Sequence, residues 1–123
     1  MKKRILLVDD IKFVLDLEKT LLAQIEKELS LDLDIDTASD VDEALKCLES
    51  SEYDILITDM NLPDGDGSQI AKSAAQRSSG KMRLVALTSL PVAYEEKREI
   101  FDLFLTKPTQ PQDLKSDLIK VLQ

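Results

Sequence analysis

The chain has 123 residues, a length that fits one ordinary domain. Its 16 lysines and arginines are outnumbered by 24 aspartates and glutamates, and the net charge of −8 argues against direct nucleic-acid binding through a basic surface. Hydrophobic residues make up 43% of the chain, enough for a packed core. No apolar run exceeds four residues, so we expect no membrane insertion and a cytoplasmic protein.

The chain contains no histidine. This excludes serine or cysteine nucleophiles activated by imidazole, zinc sites with histidine ligands and phosphohistidine carriers. The single cysteine, Cys47, allows no internal disulfide and is predicted to be a small buried hydrophobe. Reaction chemistry would therefore have to come from oxygen atoms and lysines.

The first predicted elements are a strand and an amphipathic helix. Residues 5–8 form a continuous apolar run, typical of a strand covered on both faces. The following helix is predicted to bury a stripe of residues spaced three or four apart, Val14, Leu17, Leu21 and Ile25, widened by Leu22 and Leu29. Its water-facing side is predicted to carry Glu18, Lys19, Glu26 and Lys27.

The next elements repeat this order. Residues 31–36 alternate apolar residues with aspartates, which favours an edge strand with one buried face and solvated aspartates. A second helix over 41–48 begins after Ser39 or Asp40 as its cap. A strand at 55–57, a helix near 70–75 and a strand at 84–87 follow.

The last part of the chain is predicted to hold a weaker helical piece near 92–100, a short strand at 103–105 that Pro108 limits, and a final helix over 114–122. Strand and helix thus alternate five times. This order predicts a three-layer, doubly wound α/β fold with a five-stranded parallel sheet and helices on both faces.

A parallel sheet brings the carboxyl ends of its strands to one edge, where ligands bind. The chain places Asp9 and Asp10, Asp59, Thr88 and Lys107 at the ends of the first, third, fourth and fifth predicted strands. One pair of carboxylates about 4 Å apart is disfavoured by about 4 kcal/mol at an effective dielectric of about 20, so positive charge must balance them. Lys107 can offset one charge and Mg²⁺ the remainder, and Asp59 is the predicted nucleophile toward a phosphoryl group.

At these positions the sequence resembles the receiver domain of two-component response regulators. The matching segments are Asp9-Asp10 and residues 59–67, 87–89 and 106–108. The resemblance covers nearly the whole chain, so we expect residues 1–123 to form one CheY-like receiver domain. It implies a flavodoxin-like sheet of order 2-1-3-4-5.

The resemblance also implies the chemistry. Asp59 would accept a phosphoryl group from the phosphohistidine of a sensor histidine kinase or a phosphotransfer protein. The metal ligands would be Asp9, Asp10, Asp59 and the backbone carbonyl of Asn61, with Mg²⁺ as the cofactor. Lys107 and Thr88 would contact the phosphoryl oxygens, and Phe104 matches the aromatic residue that turns inward in the switched state.

The expected protein is a stand-alone signalling switch and not an enzyme, with at most slow self-dephosphorylation. Its output would be phosphorylation-dependent binding to a downstream protein, as a monomer or weak dimer. Two departures from the family pattern bear on this output. The stretch between Thr88 and Lys107 is a few residues short and carries Ile100-Phe101 where the family commonly has Gly-Ala, which predicts an abbreviated fourth helix. Leu90 occupies a position that influences dephosphorylation in the family.

Three alternatives were weighed against this interpretation. A phosphorylation-independent receiver-like adaptor remains open because of the altered fourth-helix region. A phosphohydrolase of the haloacid dehalogenase type is disfavoured, since Asn61 stands where such enzymes need a second aspartate. A calcium loop fails on its spacing, so Asp64 and Asp66 are interpreted as turn residues, with Gly65 and Gly67 permitting backbone bends.

Overall fold

The computed structural model describes residues 2–89, 92–107 and 110–123. Five parallel strands form one sheet in the order β2-β1-β3-β4-β5, which confirms the predicted fold and strand order. The strands are β1 (Lys2–Val8), β2 (Asp32–Ala38), β3 (Ile55–Thr58), β4 (Arg83–Thr88) and β5 (Leu103–Thr106). A separate two-stranded hairpin joins Asn61–Leu62 to Gly65–Asp66.

Helices cover both faces of the sheet. They are α1 (Lys12–Glu28), α2 (Val41–Ser50), α3 (Gly67–Ser78) and α4 (Pro111–Leu122), with a 3₁₀ helix over Val92–Ile100. One core cluster contains the buried residues of α1 and α4, and the other contains those of α2 and α3. Among the described residues, no helix has the length and apolar character needed to cross a membrane.

The central strands explain why the apolar runs are continuous. In β1, Ile5 and Leu7 belong to the cluster under α1 and α4, while Leu6 and Val8 belong to the cluster under α2 and α3. Successive side chains of a strand point to opposite faces, so a strand covered on both faces must be apolar throughout. The sheet is therefore packed against helices on both faces, and the carboxyl ends of its strands lie along one edge.

Helix α1 buries Leu21, Leu22 and Ile25 as predicted, but the first half of its buried stripe is shifted by one position from the predicted one. Its buried residues are Leu15, Glu18, Leu21, Leu22 and Ile25. Val14 and Leu17 are only half-buried, and Leu29 is 46% exposed. The prediction that Glu18 faces water is wrong, because a stripe through positions 15, 18, 22 and 25 also has helical spacing and is the one that packs on the sheet.

The edge position of β2 is confirmed, but its aspartates are not simply solvated. Arg4 Nε lies 3.1 Å from Asp34 Oδ2, and its Nη2 lies 3.3 Å from Asp36 Oδ2. The Tyr53 hydroxyl also donates to Asp36 at 2.6 Å. The alternating apolar residues and aspartates of β2 do not produce one fully buried face between residues 32 and 37, because this edge of the sheet is only partly covered.

The segment between β4 and β5 is short, as predicted. Its described part is 3₁₀-helical over Val92–Ile100, with a kink at Tyr94, where the backbone is non-helical (φ −118°, ψ 16°). Leu90 and Pro108, on which two of the predictions rest, lie outside the described residues. Cys47, predicted to be buried, is only half-buried on α2.

Candidate functional site

Three carboxylates meet at the carboxyl edge of the sheet. Asp9 and Asp10 follow β1, and Asp59 follows β3. One oxygen of each lies within 4.8 Å of the others. Asp9 is 1% exposed and Asp59 is 7% exposed, whereas Asp10 is open to solvent. We call Asp9, Asp10 and Asp59 the acidic cluster.

Lys107 supplies the positive charge of this pocket. It follows β5, and its Nζ lies 2.6 Å from Asp9 Oδ2 and 3.1 Å from Asp59 Oδ2. These hydrogen bonds join residues that are 98 and 48 positions apart in the chain. One ammonium group against three carboxylates leaves the pocket with an excess of negative charge.

The pKa values of the two partners reflect this environment. Burial raises the pKa of Asp59, and the nearby charge of Lys107 acts in the opposite direction without cancelling the rise. Burial alone would lower the pKa of Lys107, but its hydrogen bond to Asp9 and the negative charges of Asp59 and Asp9 raise it. Lys107 is therefore a permanent cation in the pocket at neutral pH.

Backbone hydrogen bonds fix the acidic cluster. The amide of Asp59 donates to Val8 O at 2.8 Å, which ties the end of β3 to β1. Asp9 Oδ1 accepts from the Ile11 amide at 3.0 Å, while Ile11, the N-cap residue of α1, makes no side-chain cap. Asp9 thus supports the start of the helix with one oxygen and faces Lys107 with the other.

Gly67 allows α3 to start against the backbone of Asp59. A Cβ atom at position 67 would lie 2.5 Å from Asp59 O and 2.9 Å from Thr58 Cγ2. Among the described glycines, only Gly80 has a positive φ, so the prediction that Gly65 and Gly67 permit special backbone bends is wrong. At position 67 the requirement is space.

Asp64 and Asp66 do more than form a turn. Asp64 accepts hydrogen bonds from the amides of Val41 and Asp42 at 2.8 and 3.0 Å, which lowers its pKa and fastens the hairpin to the start of α2. Asp66 is the N-cap of α3 and forms a capping box with Gln69. The spacing of Asp66 and Gln69 is a sequence signal for this box, whereas the contact of Asp64 with α2 has no local signal.

The remaining predicted residues also lie at this edge. Asn61 comes two residues after Asp59, and its amide donates to Asp59 Oδ1 at 3.4 Å. Thr88 is fully buried at the end of β4, and its carbonyl accepts from the Lys107 amide at 2.7 Å. Phe104 is half-buried; its ring centroid lies 6.2 Å from that of Phe101.

Sequence reasoning missed the carboxyl group of Glu18. It is 2% exposed, and burial raises its pKa to about 8, with the charges of Asp9 and Asp59 adding to the rise and Lys107 opposing it. A carboxyl group in this environment is mostly protonated at neutral pH. Its helical spacing with Leu15 and Leu22 was the signal that could have indicated its burial.

Comparisons with known proteins agree with this geometry. The family model described as the response regulator receiver domain matches residues 5–119. Over an alignment 130 positions long, the chain is 29% identical to the alkaline phosphatase synthesis transcriptional regulatory protein PhoP of Bacillus subtilis. The alignment covers 100% of this chain and 50% of PhoP. It is 33% identical over 110 residues to the response regulator protein PilR of Pseudomonas aeruginosa, covering 87% of this chain and 23% of PilR. The chain therefore spans half or less of these relatives.

Solved structures show the same fold. The signal receiver domain of an HD domain-containing protein from Pseudomonas fluorescens matches with a TM-score of 0.80 and 27% identity, covering 99% of this chain and 95% of that one. TrrA of Thermotoga maritima, solved in complex with Mg²⁺-BeF, matches with a TM-score of 0.73 and 27% identity over 97% and 98% of the two chains. CheY4 of Vibrio cholerae has a TM-score of 0.79 at 23% identity, over 98% of this chain and 99% of its own.

Proposed function

The chain belongs to the response regulator receiver domain family, and from this premise we propose that residues 1–123 form one receiver domain that accepts a phosphoryl group on Asp59. Receiver domains are signalling switches, and phosphorylation on an aspartate is standard for the family. The observation that carries the proposal is the position of Lys107 Nζ, 2.6 Å from Asp9 and 3.1 Å from Asp59 in a pocket of three carboxylates.

The proposed donor is the phosphohistidine of a sensor histidine kinase or a phosphotransfer protein. A carboxylate oxygen of Asp59 attacks the phosphorus, and the phosphorus–nitrogen bond to the imidazole breaks as the new phosphorus–oxygen bond forms. The imidazole nitrogen keeps the bonding electron pair and takes up a proton. Lys107 holds Asp59 in place and offsets the charge that arrives with the phosphoryl group.

Mg²⁺ is the proposed cofactor, and the donor set fits it. Hard carboxylate oxygens are the ligands that Mg²⁺ prefers, and three of them lie within 4.8 Å of one another, with Lys107 hydrogen-bonded to Asp9 and Asp59. Asp9, Asp10, Asp59 and the backbone carbonyl of Asn61 would hold the ion. When bound, it would offset negative charge on the transferring phosphoryl group.

The phosphoryl group would switch the chain through Lys107 and Thr88. Hydrogen bonds to a charged group contribute about 1.5 to 3 kcal/mol each. Two of them approach the roughly 5.5 kcal/mol that inverts a 1:99 equilibrium between two conformations. The output we propose is binding to a downstream protein, by a cytoplasmic chain that is a monomer or weak dimer and makes no direct contact with nucleic acid.

Intact mass measurement tests the proposal. The chain is incubated with Mg²⁺ and acetyl phosphate or a phosphorylated histidine donor, and we expect one added phosphoryl group. Asp59→Asn and a sample with Mg²⁺ chelated should show none. An unmodified wild-type mass with every donor, or full modification of Asp59→Asn, would contradict the assignment.

The second candidate function is a phosphorylation-independent adaptor. The 3₁₀ helix in place of a longer fourth helix is the observation that favours it, because this segment would be part of the output surface. An adaptor would bind its partner with the same affinity in wild type and Asp59→Asn. A difference in affinity between phosphorylated and unphosphorylated chain excludes it.

A further inference from the structure

An ion pair connects the loop over residues 59–66, which we call the acceptor loop, to the 3₁₀ helix. Lys97 Nζ contacts Asp66 Oδ2, joining residues 31 positions apart. The Lys97 side chain is 40% exposed, while that of Asp66 is 19% exposed. The hydrogen bond that Lys97 donates to Asp66 raises the pKa of Lys97. Burial alone would raise the pKa of Asp66, but the hydrogen bonds it accepts from Lys97 and Ser68 lower it. Both groups are therefore charged at neutral pH.

Asp66 is built into the loop that follows Asp59. Its Oδ1 accepts from the Ser68 amide at 2.8 Å, and its own amide donates to Gln69 Oε1 at 3.0 Å. It is also the register partner of Asn61 in the hairpin. The hairpin pairing thus links Asp66 to Asn61, which lies two residues from Asp59.

The same part of the 3₁₀ helix also contacts β5. Arg98 lies over the ring of Phe104, with Cζ 5.5 Å from the ring centroid. Phe101 packs against the same ring in an edge-on arrangement, at an interplanar angle of 64°. Because Lys97 and Arg98 are adjacent, the acceptor loop and Phe104 are held by neighbouring residues of one short helix.

We propose that Lys97 is a positioning residue that holds the acceptor loop through Asp66 and thereby couples the 3₁₀ helix to the phosphorylation site. The proposed coupling runs from Asp59 through the hairpin to Asp66 and Lys97. Since coupling between two sites is reciprocal, a ligand that orders the acceptor loop also restrains the 3₁₀ helix. For its effect on Mg²⁺ affinity, this inference rests on the proposed function.

A double-mutant cycle tests the coupling with Lys97→Met, Asp66→Asn and the double variant. Methionine keeps most of the length of the side chain without its charge, and asparagine keeps an oxygen that can cap α3. Lys72→Met is the matched control, because Lys72 is an exposed lysine that forms no ion pair with any residue the structure describes. The cycle isolates the contact, since a long-range effect of the lysine charge is the same in both backgrounds.

The first measurement is hydrogen exchange of the Gly67 amide, which donates to Met60 O at 3.1 Å and closes the acceptor loop. We expect Lys97→Met to speed this exchange about fivefold in the wild-type background and to have little effect with Asp66→Asn, the size expected of a partly exposed ion pair. Lys72→Met should leave the rate unchanged. Equal effects of Lys97→Met in both backgrounds would overturn the inference.

The second measurement is the Mg²⁺ dissociation constant by calorimetry with the same variants. Lys97→Met should weaken binding about fivefold in the wild-type background only, for the same reason. Purely additive changes count against the coupling. If the wild type binds no Mg²⁺, the proposed function fails, and the exchange rates still decide whether Lys97 holds the loop.

Discussion

Replacing Glu18 with glutamine should change how stability depends on pH. The folded chain raises the pKa of Glu18 from 4.5 to about 8, mainly through burial, so between these values the folded state binds a proton that the unfolded chain has lost. Stability that is fully present below the unfolded pKa is therefore lost progressively as pH rises toward the folded pKa. Glutamine is similar in size and does not titrate.

The expected change in the unfolding free energy follows from the raised pKa of Glu18. Each unit of pKa difference corresponds to about 1.36 kcal/mol. Because pH 7 lies about 2.5 units above the ordinary pKa of Glu18, the unfolding free energy lost by pH 7 is about 3 kcal/mol. The side chain is 2% exposed, so solvent screening removes little of this. Relative to Glu18→Gln, the wild type should lose about 1.4 kcal/mol of unfolding free energy per pH unit between about pH 5 and pH 8.

Urea unfolding followed by circular dichroism measures this difference at four pH values, with divalent cations chelated. Glu52→Gln, at an exposed glutamate, is the control for the loss of one negative charge. The reasoning is refuted if the difference between wild type and Glu18→Gln is constant from pH 5 to pH 8. That result would mean that Glu18 is ionised in the folded chain.

Four further substitutions probe the site. Gly67→Ala should destabilise the chain by about 1–3 kcal/mol in urea unfolding, because its Cβ meets the backbone carbonyl of Asp59. Gly65→Ala should cost less, because its Cβ meets the end of the Gln69 side chain and displaces one capping hydrogen bond instead of backbone. Equal losses would contradict this. Asp64→Ala should lower the thermal midpoint of unfolding, because it removes the hydrogen bonds that Asp64 accepts at the start of α2. In the wild type this stability is lost as pH falls through the lowered pKa of Asp64. An unchanged midpoint would refute the capping role of Asp64. Lys107→Met should raise the pKa of Asp59 further, as followed by carboxyl NMR without metal, and a fall would contradict the geometry.

The proximity of the charged residues in the site could be predicted because it follows from the topology of the sheet. Apolar runs mark the strands, and a parallel sheet places whatever follows each strand at one edge. Asp9, Asp10, Asp59 and Lys107 therefore come together in the structure although the first and last are 98 positions apart. Local sequence does not encode their distances, but it fixes which strand each one follows.

The residues that sequence reasoning missed depend on packing between elements. Two stripes of α1 have helical spacing, and only the sheet surface decides that Glu18 rather than Val14 is buried. Likewise, nothing near Lys97 indicates Asp66 as its partner, because the contact exists only when the 3₁₀ helix packs beside α3. The ion-pair partners of exposed charged residues cannot be predicted from a single sequence when the segment has no clear apolar periodicity.

The order in which the pocket receives its charges has a consequence for protein synthesis. All three carboxylates leave the ribosome well before Lys107, which joins Asp59 from 48 positions downstream. A nascent chain that stops short of this lysine carries mutually repelling carboxylates with no internal counterion. Such a chain has no lysine to hold Asp9 and Asp59, so the pocket described here is complete only once the fifth strand has docked.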